Sequence, residues 1–222
     1  MVVQTGDHEL LKVAIEVACQ VEDPEDLSVS ISQAVESRPA ADITSLLEAI
    51  PDETVALATL AAQLARRAIA DLPEPSELTN RDVETSMACS NRFSDAGWSA
   101  EAAASAQLAV DRLLMLDADS RDERTLGRAL SNLSNRLWEM GRIGDSLAPA
   151  EHAVEVLLRA SAPEVELAAA RNNFAFRLAE VGQSDQSAVQ AAEAHLLCTR
   201  AKALEDANVA KTLGSALNNL TC

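Results

Sequence analysis

Ser134-Asn-Arg-Leu-Trp-Glu-Met-Gly141 is one of three related octapeptides in this chain. The others are Ser90-Asn-Arg-Phe-Ser-Asp-Ala-Gly97 and Ala175-Phe-Arg-Leu-Ala-Glu-Val-Gly182. The glycines stand 44 and 41 residues apart. Five residues before each is an arginine (Arg92, Arg136, Arg177), and four before it a large apolar residue (Phe93, Leu137, Leu178). Two before it is an acid: Asp95, Glu139 or Glu180. A period of this size carried by matching columns is the signature of a repeat architecture.

The columns continue past the glycine. Five residues on stand Ala102, Ser146 and Ser187; nine on, Ala106, Ala150 and Ala191; twelve on, Ala109, Ala153 and Ala194. Spacings of four and three place these small residues on one helical face, where a second helix can lie close. The glycine suits the left-handed residue that ends a helix, a conformation it adopts without a Cβ clash. Each unit therefore reads as a helix, a short turn and a second, antiparallel helix.

Composition agrees. Alanine, the best helix former, is the commonest residue. Gly and Pro number seven each, too few for the turns of an all-β sandwich, and aromatics are only 2%. The fold class is all-α.

The array extends in both directions. Thr212-Leu-Gly-Ser-Ala-Leu-Asn-Asn-Leu220 echoes Thr125-Leu-Gly-Arg-Ala-Leu-Ser-Asn-Leu133, a partial unit at 207–222. Clear units occupy 79–121, 122–163 and 164–206. Upstream, Ala58, Ala62 and Ala65 repeat the small-residue spacing, giving a degenerate unit at 41–78 with its turn near Glu53 and Pro51-Asp52 in place of the glycine. Residues 7–21 and 26–37, split by Pro24, read as one more helix pair, so 1–40 is expected to be an atypical cap and 41–222 the array.

These residues resemble the tetratricopeptide repeat, in its longer, kinesin-light-chain-type form. The resemblance rests on the pairs Cys89-Ser90, Leu133-Ser134 and Phe174-Ala175, on the alanine columns after the glycine, and on Asn172-Asn173-Phe174 and Asn218-Asn219-Leu220. It implies a right-handed α-solenoid of antiparallel helix pairs whose first helices line a concave face. Such arrays are common in bacteria, often attached to signalling NTPase domains. The inner face would carry Glu84, Met87, Asn91 and Ser94; then Arg128, Ser131, Asn135 and Trp138; then Ala169, Asn172, Phe176 and Ala179. Asn132 and Asn173 occupy the column where the family's asparagines hold a peptide backbone.

Each of these residues has a structural alternative. The asparagines could form an inter-repeat ladder, since an amide both donates and accepts. Arg92, Arg136 and Arg177 stand three residues before an acid, the spacing of helical ion pairs. Trp138 divides evenly between partner anchor and packing residue, Phe176 leans to the core, and Trp98 is expected to staple its turn. The lysines and arginines needed to clamp a C-terminal carboxylate are absent from the corresponding columns, and Arg128 alone is no clamp.

The formal charge of −17 disfavours nucleic acid and anionic lipid as partners. No apolar run reaches the length of a membrane span. Cys19, Cys89, Cys198 and Cys222 lie far apart with no metal-ligand spacing, which fits a reducing, cytoplasmic setting and no bound metal or cofactor. His8-Glu9-Leu10-Leu11-Lys12 begins like a metalloprotease helix, but Lys12 replaces the second histidine. No phosphate loop or nucleophile elbow is present, and no catalytic residues are assigned.

The expected function is a non-enzymatic scaffold that binds a peptide or partner protein on the concave face. Two alternatives stay open. One is a regulatory or sensor segment of a larger NTPase-type signalling protein, suggested by the stop at Thr221-Cys222 partway through a unit. The other is an adaptor that self-associates through that C-terminal half-repeat.

Overall fold

The computed structural model describes residues 8–20, 25–35, 40–51, 55, 57–73 and 79–201. Among them every regular element is a helix: α1 (His8–Ala18), α2 (Glu25–Val35), α3 (Ala40–Glu48), α4 (Ala58–Ala70), α5 (Asn80–Asp95), α6 (Ser99–Met115), α7 (Glu123–Glu139), α8 (Ile143–Arg159), α9 (Glu164–Glu180) and α10 (Ser184–Arg200). The chain divides into two compact units, residues 1–112 and 113–222. The expected turn around Asp52-Glu53 and the partial unit at 207–222 lie outside the described residues.

In the first unit α1 packs on α2 and α3, and α3 on α4. Their facing side chains form one core around Leu11, Ile15, Ile31, Ile43, Leu46, Leu60 and Leu64, extended by Phe93 and Ala102. The small residues Ala58, Ala62 and Ala65 sit on the buried side of α4. Helix α5 begins with a reciprocal cap. The Asp82 amide donates to the Thr79 hydroxyl, and the Thr79 amide donates to the Asp82 carboxylate at 2.8 Å.

In the second unit α7 packs on α8, α8 on α9, and α9 on α10, so successive helix pairs stack. Ala150, Val154 and Leu157 of α8 meet Leu167, Ala170, Phe174 and Leu178 of α9. Pro149 lies inside α8, which continues past it although proline supplies no amide donor there. Gly127 lies inside α7 because α8 comes close: a Cβ on it would stand 2.5 Å from Leu157 Cγ.

All three repeat glycines end their helices in the left-handed region, at φ 74°, 73° and 79°. Each turn closes with the same two bonds. Gly97 donates to the Ser94 carbonyl and Trp98 to that of Phe93. Gly141 and Arg142 repeat this on Trp138 and Leu137, as do Gly182 and Gln183 on Ala179 and Leu178. Trp98 also stacks on Phe93, with centroids 6.1 Å apart, the apolar contact that accompanies this cap. The Arg66 guanidinium also lies over the indole, 4.4 Å from its centroid. The end of α8 uses the same turn without a glycine, with Ser161 held at φ 50°.

Candidate functional site

Helices α7 and α9 lie side by side on α8, and the face they turn away from it gathers most of the candidate residues. The registers of the two helices are tied at both ends. Near their starts Arg124 makes a two-pronged ion pair with Glu166, its Nε 2.8 Å from Oε2. The Arg124 hydrogen bond, helped by the charges of Arg124 and Arg128, holds the Glu166 carboxyl below its ordinary range against a partial desolvation that pushes it up. Near their ends Arg177 donates to Asn135 Oδ1 at 2.9 Å.

The same guanidinium completes an aromatic cluster. Trp138 meets Phe176 edge to face, with centroids 5.3 Å apart, and the Arg177 Cζ lies 4.9 Å from the indole and 5.4 Å from the phenyl centroid. Arg177 is 4% exposed, while Trp138 is 36% exposed. Desolvation lowers the Arg177 pKa to about 10, against the opposing charges of Glu180 and Glu139. The face thus runs from an ionic end at Arg124, Arg128 and Glu166, through half-buried Asn132, Asn135, Asn172 and Asn173, to an aromatic end at Trp138 and Phe176.

Asn91 belongs to the first unit and stands apart from this cluster. It lines a cavity of about 530 Å³ between α3 and α5, with Glu84, Ala88 and Arg92. Met87, expected on the inner face, is instead 8% exposed and packed inward. The exposed stripe of α5 runs through Arg81, Glu84, Ala88 and Asn91, one step round the helix from the expected line.

The arginine column also differs from the ion pairs that its spacing suggests. Arg136 does pair with Glu139 three residues on, at 2.9 Å. Arg92 reaches back along the first unit to the carbonyls of Pro51 at 2.8 Å and Ile50 at 2.5 Å. Arg177 likewise reaches back one repeat, to Asn135, and Glu180 acts on it only through its charge. The reason is burial. Arg92 and Arg177 are 7% and 4% exposed, and a desolvated guanidinium needs acceptors inside the packing, where the neighbouring repeat supplies them.

The alanines of the second helices, Ala106, Ala150 and Ala191, are all at most 1% exposed. Sequence reasoning passed over Arg124 and Glu166. Their signal was a cation and an acid at the start of consecutive first helices, one repeat plus one residue apart. Cys89 and Cys198 are unpaired and fully buried, and burial drives the Cys89 thiol up to about 12. Among the described residues no helix is long and apolar enough to cross a membrane, and no group of His, Cys and carboxylate side chains could hold a metal ion.

No protein-family model matches the chain, and no curated protein matches it in sequence. Solved structures do match. BtubC (BKLC) from P. vanneervenii superposes with a TM-score of 0.59 at 16% identity, over 95% of this chain and 85% of that one. The nearly identical tetratricopeptide-like repeats of a Podosopora anserina protein, described as a kinesin light chain, give 0.62 at 13% identity, over 90% of this chain and 100% of that one. The apo form of RapI gives 0.62 at 12% identity; the match takes in 99% of this chain but 62% of RapI, less than two thirds of its length. At these identities the likeness concerns the fold. Stacked helix pairs, glycine-capped turns and these superpositions agree that, by fold, the chain is an all-α tetratricopeptide-type repeat protein.

Proposed function

We propose that the chain is a non-enzymatic interaction scaffold, and that a peptide or partner-protein segment docks on the inner face of its first helices, with the α7–α9 face as the principal seat. One observation carries this reading: Trp138 keeps 36% of its surface exposed although Phe176 and Arg177 fix its ring from two sides. A braced, partly open indole beside a row of amides is the combination that interface anchors use. The rigid ring loses little entropy on binding, and an asparagine amide can pair with any main chain. Two buried, unpaired cysteines support a reducing, cytoplasmic setting.

The test is affinity capture from the source cell's lysate, read by mass spectrometry. Wild type is compared with Asn132→Ala/Asn173→Ala/Trp138→Ala, whose folding is checked by circular dichroism. Partners held by wild type and released by the folded variant are expected. Equal capture by both proteins places binding elsewhere and sinks the reading.

A further inference from the structure

The outer surface of the second unit carries a second pattern, on the side opposite the aromatic cluster. Helices α8 and α10 are consecutive second helices that both pack on α9. Positions 41 residues apart on them are equivalent in the repeat, so their exposed columns correspond. On α8 the column holds Glu151 and Glu155, both exposed and neither in an ion pair among the described residues, and one turn on Leu158 is 48% exposed. On α10 the same column holds Val189, Ala192 and Leu196, with Val189 55% and Leu196 49% exposed. A single exposed leucine is ordinary. Here three apolar residues recur at helical spacing over about 10 Å of α10, and the corresponding column of α8 carries two exposed carboxylates.

Among the described residues, two cations near this surface are engaged elsewhere, and Arg200 stands exposed at the end of α10. Arg159, at the end of α8, turns to Glu123 at 3.8 Å, and Arg171 is taken by Glu193 and Gln190. Within a chain of net charge −17 the two glutamates present a negative row on α8, and α10 presents an apolar one at the equivalent positions.

We propose that this outer face docks an amphipathic helix of a partner protein, whose apolar stripe covers Val189, Ala192 and Leu196 while an adjacent row of lysines or arginines meets Glu151 and Glu155. Charge complementarity selects a basic partner and speeds its approach; the apolar stripe supplies the area buried. This surface is separate from the α7–α9 face, so the two can be occupied at once.

The test uses the full chain and a synthetic 18-residue amphipathic helix with leucines in one stripe and lysines in the next. Fluorescence anisotropy is measured at low and high salt, with the lysines replaced by glutamates in a control peptide. The lysine peptide is expected to bind, and about tenfold or more of its affinity is expected to be lost in Glu151→Gln/Glu155→Gln and in Leu196→Ser. Trp138→Ala should leave it unchanged, which separates this surface from the inner-face reading. Glu151→Lys/Glu155→Lys should transfer preference to the glutamate peptide. The proposal is overturned by no binding at any salt, by equal binding of both peptides, or by a dimer that Leu196→Ser dissociates. The last result would assign the surface to a second copy of the chain.

Discussion

Ser187 of α10 donates its hydroxyl to the Ala175 carbonyl of α9 at 2.8 Å, the reverse of the bond that ties the preceding repeat. There Ser134 of the first helix donates to the Ser146 carbonyl of the second at 2.8 Å, and Ser90 does the same to Ala102 in the first unit. The positions are equivalent in all three repeats, so the contact is kept while the donor changes helix. A hydroxyl closing on the partner helix's carbonyl requires the backbones to be close, which the small residues of these columns allow.

Ser187→Ala and Ser134→Ala should each destabilise by about 1 kcal/mol, the net worth of one buried hydrogen bond. Urea denaturation measures it. Ala175→Ser introduced into Ser187→Ala should recover most of the loss by restoring the donor from the other side. Failure of that rescue would show that the hydroxyl fills space rather than bonding.

The helix-ending turns make a paired prediction. Gly141→Ala or Gly182→Ala forces a Cβ into the left-handed region and should cost about 1–2 kcal/mol, although the space around each is open. Ser161→Gly, at φ 50°, should stabilise by up to about 1 kcal/mol, because a β-carbon there is already strained. Thermal melts of the three variants should move in opposite directions, and a fall in Tm for Ser161→Gly would remove the strain argument.

Gly127 is a different kind of glycine, since its conformation is helical and its limit is space. Gly127→Ala gains roughly 1 kcal/mol of helix propensity but drives a methyl into Leu157, at a cost of about 1–3 kcal/mol. The net effect should be destabilising. The double variant with Leu157→Ala should be more stable than the sum of the two single changes predicts, a coupling that a double-mutant cycle reads directly.

Glu166 sets a pH dependence. Its folded-state pKa lies below the ordinary 4.5, chiefly through the Arg124 hydrogen bond. A depressed carboxyl contributes stability that is present above its unfolded value and is lost as pH falls through the folded one. Asp122, lowered by the Thr125 hydroxyl, acts in the same direction. Tm should fall as pH drops below about 5, and the fall should be shallower in Glu166→Gln. Identical pH profiles would show that the pair contributes nothing measurable, as many exposed ion pairs do.

Arg177 braces Trp138, and fluorescence can read that directly. With Trp98→Phe removing the other indole, Arg177→Ala should red-shift the remaining emission as water reaches the released ring face. Arg136→Ala serves as control, because that guanidinium pairs along its own helix with Glu139. An unshifted spectrum for Arg177→Ala would mean that Phe176 alone positions the indole.

The helix pairs, their glycine-ended turns and the buried alanine columns could all be read from residue order. Each depends on interactions within a few residues: the 3.6-residue period that gives a helix its face, and the freedom of Gly97, Gly141 and Gly182 to take a positive φ. The aromatic and amide residues of the α7–α9 face were legible for the same reason, since helical spacing alone put Asn135 and Trp138 on one side. The rest depended on the adjacent repeat. Whether Met87 or Ala88 faces outward turns on how α5 rolls against its neighbours, about one residue's rotation. Whether Arg177 reaches Glu180 or Asn135 depends on how deeply packing buries it, because a desolvated guanidinium goes to the acceptor inside the fold. Gly127 looks like a helix defect until Leu157 is placed against it. Local periodicity decided the repeat, and contacts between repeats decided where its polar side chains went.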